Sequence, residues 1–163
     1  MRPGNPAQLF QLSSDISGTR LTLEGRKIVA LMTWNDRYSV GVGAMDQQHI
    51  ALFGILNDLY DAMKKGQAQT VTGPLLRKLA EYTRSHFASE ESMMTATGYP
   101  GLTAHRTKHL DLMKQVEAFR ARFERGDITL SVDLFNFLRD WLTTHIQKED
   151  KEYGPWLCGH GVH

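Results

Sequence analysis

Two pairs of potential metal ligands with four-residue spacing most strongly constrain the fold of this chain. His86 and Glu90 form the first pair, and His105 and His109 form the second. Residues i and i+4 of a helix lie on one face about one turn apart, so each pair can close on a common metal centre. The Gly-Tyr-Pro-Gly sequence at 98–101 predicts that one helix ends there and the next turns back. We therefore expect two antiparallel helices that present three imidazoles and a carboxylate, which suit a first-row transition metal.

The residues around the first pair favour a buried metal site over a surface ion pair. A histidine four residues from a glutamate is, by itself, usually a surface pair or a satisfied core histidine. Here both residues lie on a mostly apolar helical stripe, whose other members are Leu75, Leu76, Leu79, Tyr82, Thr83, Phe87, Met93 and Met94. Burying a carboxylate without a partner costs several kcal/mol. A metal ion is the simplest partner for it.

The apolar periodicity predicts four helices in all. The first begins with Asp46 as its N-cap and ends near residue 66, and the second opens at the Thr-Gly-Pro sequence of 72–74. The third spans about 102–125, and the fourth runs from near Ser131 to just before Gly154. Because the connections are short, these helices predict an all-α, up-down-up-down four-helix bundle, preceded by an irregular N-terminal arm.

Every predicted helix contributes at least one histidine to the interior. Five of the seven histidines lie on the inner stripes, namely His49, His86, His105, His109 and His145, while His160 and His163 lie in the C-terminal tail. Five imidazoles and one carboxylate are too many ligands for one ion, but they suit two ions bridged by carboxylates.

A second bridging carboxylate is expected near His145, where the spacing leaves two candidates. On a helical wheel, Glu149 lies about 40° from His145, whereas Asp150 lies about 140° away. Spacing alone therefore favours Glu149. However, Asp150 is only about 40° from Ile146, which lies on the same inner stripe, and helix ends can unwind locally.

The composition indicates one ordinary globular domain. The 163 residues are 41% hydrophobic and 23% charged, with 19 Lys and Arg against 18 Asp and Glu. No basic cluster suggests a nucleic-acid surface, and no apolar run suggests a membrane span or a signal peptide, so we predict a cytoplasmic protein. The single Cys158 excludes an intramolecular disulfide framework. We divide the chain into an N-terminal extension of unknown role (1–31), the bundle (32–156) and a C-terminal tail (157–163).

The order of these residues resembles the ligand pattern of the hemerythrin family. That pattern runs through His49, His86-x-x-x-Glu90, His105-x-x-x-His109 and His145-x-x-x-x-Asp150, and all seven ligand positions are filled. The arm from Trp34-Asn35 through Val-Gly-Val at 40–42 to Asp46-Gln-Gln-His49 resembles the bacterial branch, the bacteriohemerythrins. The resemblance covers Met32 to about Trp156, and it selects Asp150 over Glu149.

The resemblance implies a non-haem di-iron centre that binds dioxygen reversibly. His105, His109 and His145 would hold one iron, and His49 and His86 the other. Glu90 and Asp150 would bridge the two irons together with an oxo or hydroxo group. The apolar oxygen pocket of the family corresponds here to Leu52, Phe87, Trp141, Leu142 and Ile146. The role expected is oxygen storage, delivery or scavenging, without catalytic residues.

The same ligand set is compatible with three other functions. The same site would suit an oxygen or redox sensing module, a di-iron redox enzyme, or a protein that transfers or repairs iron centres. Dioxygen is the expected partner, no nucleic acid or membrane is expected, and the sequence does not identify a protein partner.

Overall fold

The computed structural model describes residues 21–23, 26–28, 32–127 and 130–163, and the chain divides into the two units 1–30 and 31–163. In the first unit, strands β1 (Leu21–Leu23) and β2 (Arg26–Ile28) pair antiparallel, with Leu21 opposite Ile28. The sequence left strand pairing open for this segment. The rest of the predicted extension lies outside the described residues.

The second unit is the predicted four-helix bundle. Its first three helices are α1 (Gly43–Lys64), α2 (Ala68–Ala96) and α3 (Leu102–Glu124). The fourth is built from α4 (Leu130–Thr144), a π-helical turn (His145–Asp150) and α5 (Lys151–Gly159), while a single 3₁₀ turn (Asp36–Tyr38) precedes α1. Helix α1 packs on α2 and α4, and α3 packs on the same two helices, so the four enclose one core. None of the described helices is long and apolar enough to cross a membrane.

The first three helices end where the sequence predicts. Gly98 follows the C-cap of α2 with φ of 67°, and the next residue, Tyr99, donates its N–H to the carbonyl of Met94 at 2.8 Å. Gly66 and Gly126 end α1 and α3 in the same way. Glycine adopts this left-handed conformation without the steric cost of a Cβ. The break at Gly98 turns α3 back against α2, which brings the two ligand pairs together.

Two predicted helix starts were wrong. Helix α1 begins three residues before Asp46, whose carboxylate instead accepts hydrogen bonds from the Ser39 hydroxyl (2.5 Å) and the Val40 N–H (2.8 Å). Helix α2 begins at Ala68 and contains Pro74 in its interior. Pro74 and Thr70, four residues earlier, are both exposed, so the carbonyl that loses its N–H partner can bind water. An exposed proline is therefore tolerated where the sequence suggested a boundary.

The predicted end of the fourth helix was also wrong, because Gly154 and Pro155 lie inside α5 rather than after it. Pro155 is exposed, as is Lys151, whose carbonyl loses the N–H that residue 155 would otherwise donate and can bind water instead. Gly154 is buried, and a Cβ built on it would lie 2.2 Å from the carbonyl oxygen of Val40. Glycine at this position thus permits close contact between α5 and the N-terminal arm.

Replacing Gly154 with alanine should destabilise the protein, because the new Cβ meets backbone that cannot rotate away. We expect the free energy of unfolding to fall by about 1–3 kcal/mol, the usual cost of forcing extra atoms into a packed core. Gly54→Ala is the matched control, since Gly54 is exposed within α1 and a Cβ there contacts nothing within 4 Å. It should raise stability by about 0.5–1 kcal/mol. Chemical denaturation measures both, and equal effects would contradict the proposed contact.

Candidate metal centre

The seven residues singled out from the sequence meet in one buried cluster inside the bundle. Helix α1 supplies one of them, α2 and α3 supply two each, and the π-helical turn supplies two. They are His49, His86, Glu90, His105, His109, His145 and Asp150, and none is more than 4% exposed. No other histidine belongs to the groups of clustered metal-ligand side chains found among the described residues.

The two oxygens of Glu90 face different groups of imidazoles. Oε1 lies 3.7 Å from Nε2 of His49 and 3.5 Å from Nε2 of His86. Oε2 lies 3.6 Å from Nε2 of His105 and 3.1 Å from Nε2 of His109. The carboxylate therefore stands between the two halves of the cluster, with one oxygen toward each.

Asp150, which ends the π-helical turn, faces the same two halves of the cluster. Its Oδ2 lies 3.2 Å from Nε2 of His49, whereas its Oδ1 lies 3.3 Å from Nε2 of His105 and 3.0 Å from Nε2 of His145. Two carboxylates and five imidazoles therefore converge on one region. Each imidazole faces Glu90 or Asp150 with its Nε2 atom.

The π-helical turn explains why Asp150, and not Glu149, reaches the cluster. In a π-helix the hydrogen bonds run from i to i+5, so a turn holds more residues than an α-helical turn. Across His145–Asp150 this widening brings the fifth residue after His145 round to the same face. Glu149 points outward and pairs with Lys108 of α3. A regular α-helix would have placed Glu149 nearer to His145 instead.

The cluster passes a physical test for a metal site, because eight of its buried side-chain atoms have no hydrogen-bond partner among the described residues. These atoms are Nδ1 and Nε2 of His49, Nε2 of His105, His109 and His145, Oε2 of Glu90, and both carboxylate oxygens of Asp150. Buried polar atoms are nearly always satisfied in native proteins, so such a concentration indicates a missing partner. Nitrogen and oxygen ligands of this kind suit iron, zinc or another borderline first-row metal.

The ligand atoms form two groups that share Glu90. Glu90, His105, His109 and His145 have ligand atoms within 4.8 Å of one another, and so do His49, His86 and Glu90. A single ion would leave several of these atoms unpaired. The arrangement therefore offers a set of potential metal ligands in each half.

Electrostatics keep both carboxylates ionised. Burial would raise the pKa of Glu90, but the surrounding imidazoles, His86 first among them, outweigh burial and lower the pKa well below its ordinary value. The pKa of Asp150 is likewise lowered by His145 and His105, against burial and the nearby charge of Glu90. Ionised carboxylates are the form that binds metal.

The imidazoles differ among themselves in their affinity for protons. Burial opposes protonation of His49, but the facing carboxylates of Asp150 and Glu90 outweigh it and raise the pKa to about 9. The same balance raises the pKa of His105 to about 9. For His86, burial dominates over the attraction of Glu90 and lowers the pKa to about 4. At neutral pH, therefore, His49 and His105 hold protons that a metal ion would displace.

Three contacts behind the ligands were not foreseen from the sequence. Gln48 Oε1 accepts a hydrogen bond from Nδ1 of His86 at 2.8 Å. Glu91 Oε1 accepts one from Nδ1 of His109 at 3.0 Å, and its other oxygen accepts one from Nε of Arg106 at 2.8 Å. These acceptors fix the tautomer that carries hydrogen on Nδ1, which leaves Nε2 free for a metal ion.

The third contact is made by Tyr153, whose hydroxyl donates to Glu90 Oε1 at 2.6 Å. Tyr153 is fully buried, and its pKa is raised well above the ordinary value by burial and by the charges of Glu90 and Asp150, so the hydroxyl keeps its proton. A signal for this contact does exist in the sequence. Tyr153 follows Asp150 by three residues, a spacing that puts both side chains on one helical face.

Apolar and aromatic side chains surround the cluster. Four residues of the predicted oxygen pocket are buried, namely Leu52, Phe87, Leu142 and Ile146. The Phe87 ring stacks on His109 with centroids 3.7 Å apart. The half-buried Trp141 stacks on His145 at 4.2 Å. These contacts keep water away from two of the imidazoles.

Comparisons with known proteins agree with this geometry. Residues 40–157 match the model of the family described as the hemerythrin HHE cation binding domain. The chain is 37% identical over 130 residues to the bacteriohemerythrin of Methylococcus capsulatus, covering 79% of this chain and 98% of the relative. It is 36% identical over 132 residues to that of Stenotrophomonas maltophilia, covering 81% and 85%.

A solved structure is similar as well. The crystal structure of a wild-type hemerythrin superimposes with a TM-score of 0.72 at 37% sequence identity, covering 78% of this chain and 98% of that chain. Because the match includes nearly the whole length of the solved protein, the similarity extends over the complete bundle.

Proposed function

This chain belongs to the hemerythrin family, and from that premise we propose that it binds dioxygen reversibly at a non-haem di-iron centre. The observation that carries the proposal is the buried cluster of five imidazoles and two carboxylates, eight atoms of which have no hydrogen-bond partner among the described residues. The family accounts for iron as the metal, since the donor set alone also suits other borderline ions. Storage, delivery or scavenging of dioxygen follows as the role.

The two halves of the cluster suggest how the irons are held. We assign His105, His109 and His145 to one iron and His49 and His86 to the other. Glu90 and Asp150 would hold both irons, because each directs one oxygen toward each half. When bound, the di-iron pair supplies a position for dioxygen and the electrons that reversible binding requires.

The protein itself contributes asymmetry and exclusion of water. One half has three imidazoles and the other has two, so the half with fewer ligands is the one that can accept an external molecule. We assign Leu52, Phe87, Trp141, Leu142 and Ile146 to the wall of the oxygen pocket. Reversible binding needs such a wall, because water and protons promote loss of reduced oxygen species and leave oxidised metal behind.

Tyr153 acts on the carboxylate of Glu90 rather than on dioxygen. Its hydroxyl donates to the same Glu90 oxygen that faces His49 and His86. The hydrogen bond restrains the rotation of the carboxylate, so the two oxygens stay directed toward separate halves. Tyr153 thereby preserves the geometry of a bridging group.

Anaerobic reconstitution with ferrous iron tests the proposed function. We expect two irons per chain, a charge-transfer absorption in the visible range when air is admitted, and loss of that absorption on degassing. Permanent ferric iron with continued oxygen consumption would favour the redox enzyme instead. Iron that passes readily to a second protein would favour iron transfer, and a reversible colour change coupled to binding of a partner protein would favour sensing.

The names of the relatives are consistent with a binding protein rather than an enzyme. We propose that the chain has no turnover of its own beyond slow autoxidation. Steady-state oxygen consumption with a reductant measures this directly. The cytoplasmic location stays a prediction, which cell fractionation tests.

Metal uptake should release protons in a pH-dependent way. The pKa values of His49 and His105 are raised to about 9, so both are protonated at pH 7, whereas His86, with a pKa of about 4, is already neutral. Since metal binds only the neutral imidazole, affinity should rise with pH up to about 9 and level off above that.

Calorimetry with Co²⁺ in buffers of different protonation enthalpy measures the number of protons released. We expect between about one and two protons at pH 7 and close to none at pH 10. The stability of the metal-free protein should change in the opposite sense. A raised histidine pKa stabilises the fold below the unfolded value of about 6.5, and this contribution is lost as pH rises through 9. A proton release that is independent of pH would contradict the assignment.

A further inference from the structure

The hydrogen bonds behind the histidines differ between the two halves of the cluster. In one half, His109 donates to the Glu91 carboxylate, which Arg106 holds from the other side. In the other half, His86 donates to the neutral amide oxygen of Gln48. Nδ1 of His49, in this same half, is buried without a hydrogen-bond partner in the part of the chain that the structure describes. Among the hydrogen bonds described, the first half therefore has a charged acceptor behind one histidine, whereas the second half has only a neutral one.

The charge of the acceptor changes the strength of the imidazole as a ligand. A carboxylate attracts the Nδ1 proton more strongly than an amide does, and it thereby increases the electron density available at Nε2. A carboxylate acceptor also stabilises the positive charge that a metal ion brings to the ring. An imidazole whose Nδ1 hydrogen lacks an acceptor receives neither benefit.

The position of Glu91 shows that this contact is built into the fold. Glu91 lies next to Glu90 on α2, but its side chain crosses to α3, where Arg106 and His109 lie one helical turn apart. The Arg106 guanidinium takes one carboxylate oxygen and leaves the other directed at Nδ1 of His109. Gln48 occupies the comparable place behind His86, but without a cation to hold it among the hydrogen bonds described.

We propose that these outer contacts make the two metal positions unequal, so that metal held by His105, His109 and His145 is released much more slowly than metal held by His49 and His86. Glu91 and Arg106 are the positioning residues for the slow position, and Gln48 is the one for the fast position. The inference rests on the proposed two-metal site. It adds that metal in the half with fewer ligands is released faster. The outer contacts should make this difference larger than the number of ligands alone predicts.

Release of ferrous iron to an excess of chelator, followed anaerobically, tests this difference in release rate between the two positions, which we call the grading. The parent protein should lose its iron in a slow and a fast phase of equal amplitude. Glu91→Gln keeps the hydrogen bond but removes the charge, and it should accelerate the slow phase about 10–100-fold, the usual effect of changing a contact behind a metal ligand. Gln48→Glu introduces the charge on the other side and should slow the fast phase.

Two further variants separate this effect from general damage to the fold. Asp111→Asn removes an exposed carboxylate that pairs with Lys114 on the surface of α3, and it should leave both phases unchanged. Arg106→Gln loosens Glu91 from the exposed side without touching a ligand, so it should accelerate the slow phase even if Glu91→Gln folds poorly. The slower release expected for Gln48→Glu is a change that a damaged protein would not show.

The outcomes distinguish this inference from the proposed function. If the parent binds two irons and takes up dioxygen reversibly, but releases both irons in one phase, the grading is wrong and the function stands. Unchanged phases in both Glu91→Gln and Gln48→Glu would also overturn the grading alone. A parent protein that holds fewer than two irons would overturn both.

Discussion

Replacing Glu90 with alanine should abolish stable iron binding and lower the free energy of unfolding by about 3–5 kcal/mol, the usual cost of removing one partner from a buried charged group. Glu90 is completely buried and faces Nε2 atoms of both halves. Its loss leaves His49 and His105 without one of the carboxylates that support their protonated forms. It also leaves the Tyr153 hydroxyl without its acceptor.

Iron content and chemical denaturation together measure this effect. Glu90→Gln is the matched control, because the amide has the same shape and can still accept from Tyr153, yet carries no charge. We expect it to lose iron like the alanine variant while unfolding at a free energy closer to that of the parent. An alanine variant that retains two irons per chain would contradict the bridging role of Glu90.

The inward position of the histidines could be predicted from the sequence because helical periodicity determines which residues share a face. His86 and Glu90 follow the stripe of Leu79 and Thr83, and all four are buried. The turn at Gly98 then requires α3 to run back along α2, so His105 and His109 arrive opposite the first pair. Local spacing and one glycine were sufficient for this part of the site.

Contacts between helices could not be predicted in this way. Gln48 of α1 supports a histidine of α2, and Glu91 of α2 supports a histidine of α3. Their role therefore depends on how the helices pack rather than on spacing within one sequence segment. Gly154 is a similar case. Its sequence neighbourhood suggests a helix end, whereas the close approach of Val40 explains it as a contact inside a helix. Glycine and proline therefore indicate a helix end only where neither close packing nor solvent exposure explains their presence inside a helix.

The π-helical turn was the least predictable element of the site. Regular spacing favours Glu149 over Asp150 as the partner of His145, and only the resemblance to hemerythrins selected Asp150 at the sequence level. In the structure, the wider turn is stabilised by tertiary contacts: Asp150 faces three histidines inside, and Glu149 pairs with Lys108 outside. Such a turn has no propensity signature of its own, because its stability comes from the groups that it brings together.

Exchanging carboxylate for amide at these two adjacent positions should give opposite results. Asp150→Asn preserves the shape of a side chain that is completely buried, but removes the charge that faces His49, His105 and His145. We expect it to retain less than one iron per chain. Glu149→Gln removes the same charge from a partly exposed side chain that pairs with Lys108, so it should keep two irons and lose at most about 1 kcal/mol of stability.

The metal-free proteins provide a second measurement that does not depend on iron. Asp150 is the main support for the protonated form of His49, so Asp150→Asn should lower the His49 pKa from about 9, and NMR titration of the imidazole can follow it. Glu149→Gln should leave that titration unchanged. If Glu149→Gln were instead the variant that lost iron and shifted His49, the turn would have to be a regular α-helix in solution, with Glu149 facing the cluster. Since Glu149 and Asp150 are adjacent in the sequence, the pair of variants tests two points at once. These are the register of the helix and the identity of the second bridging carboxylate.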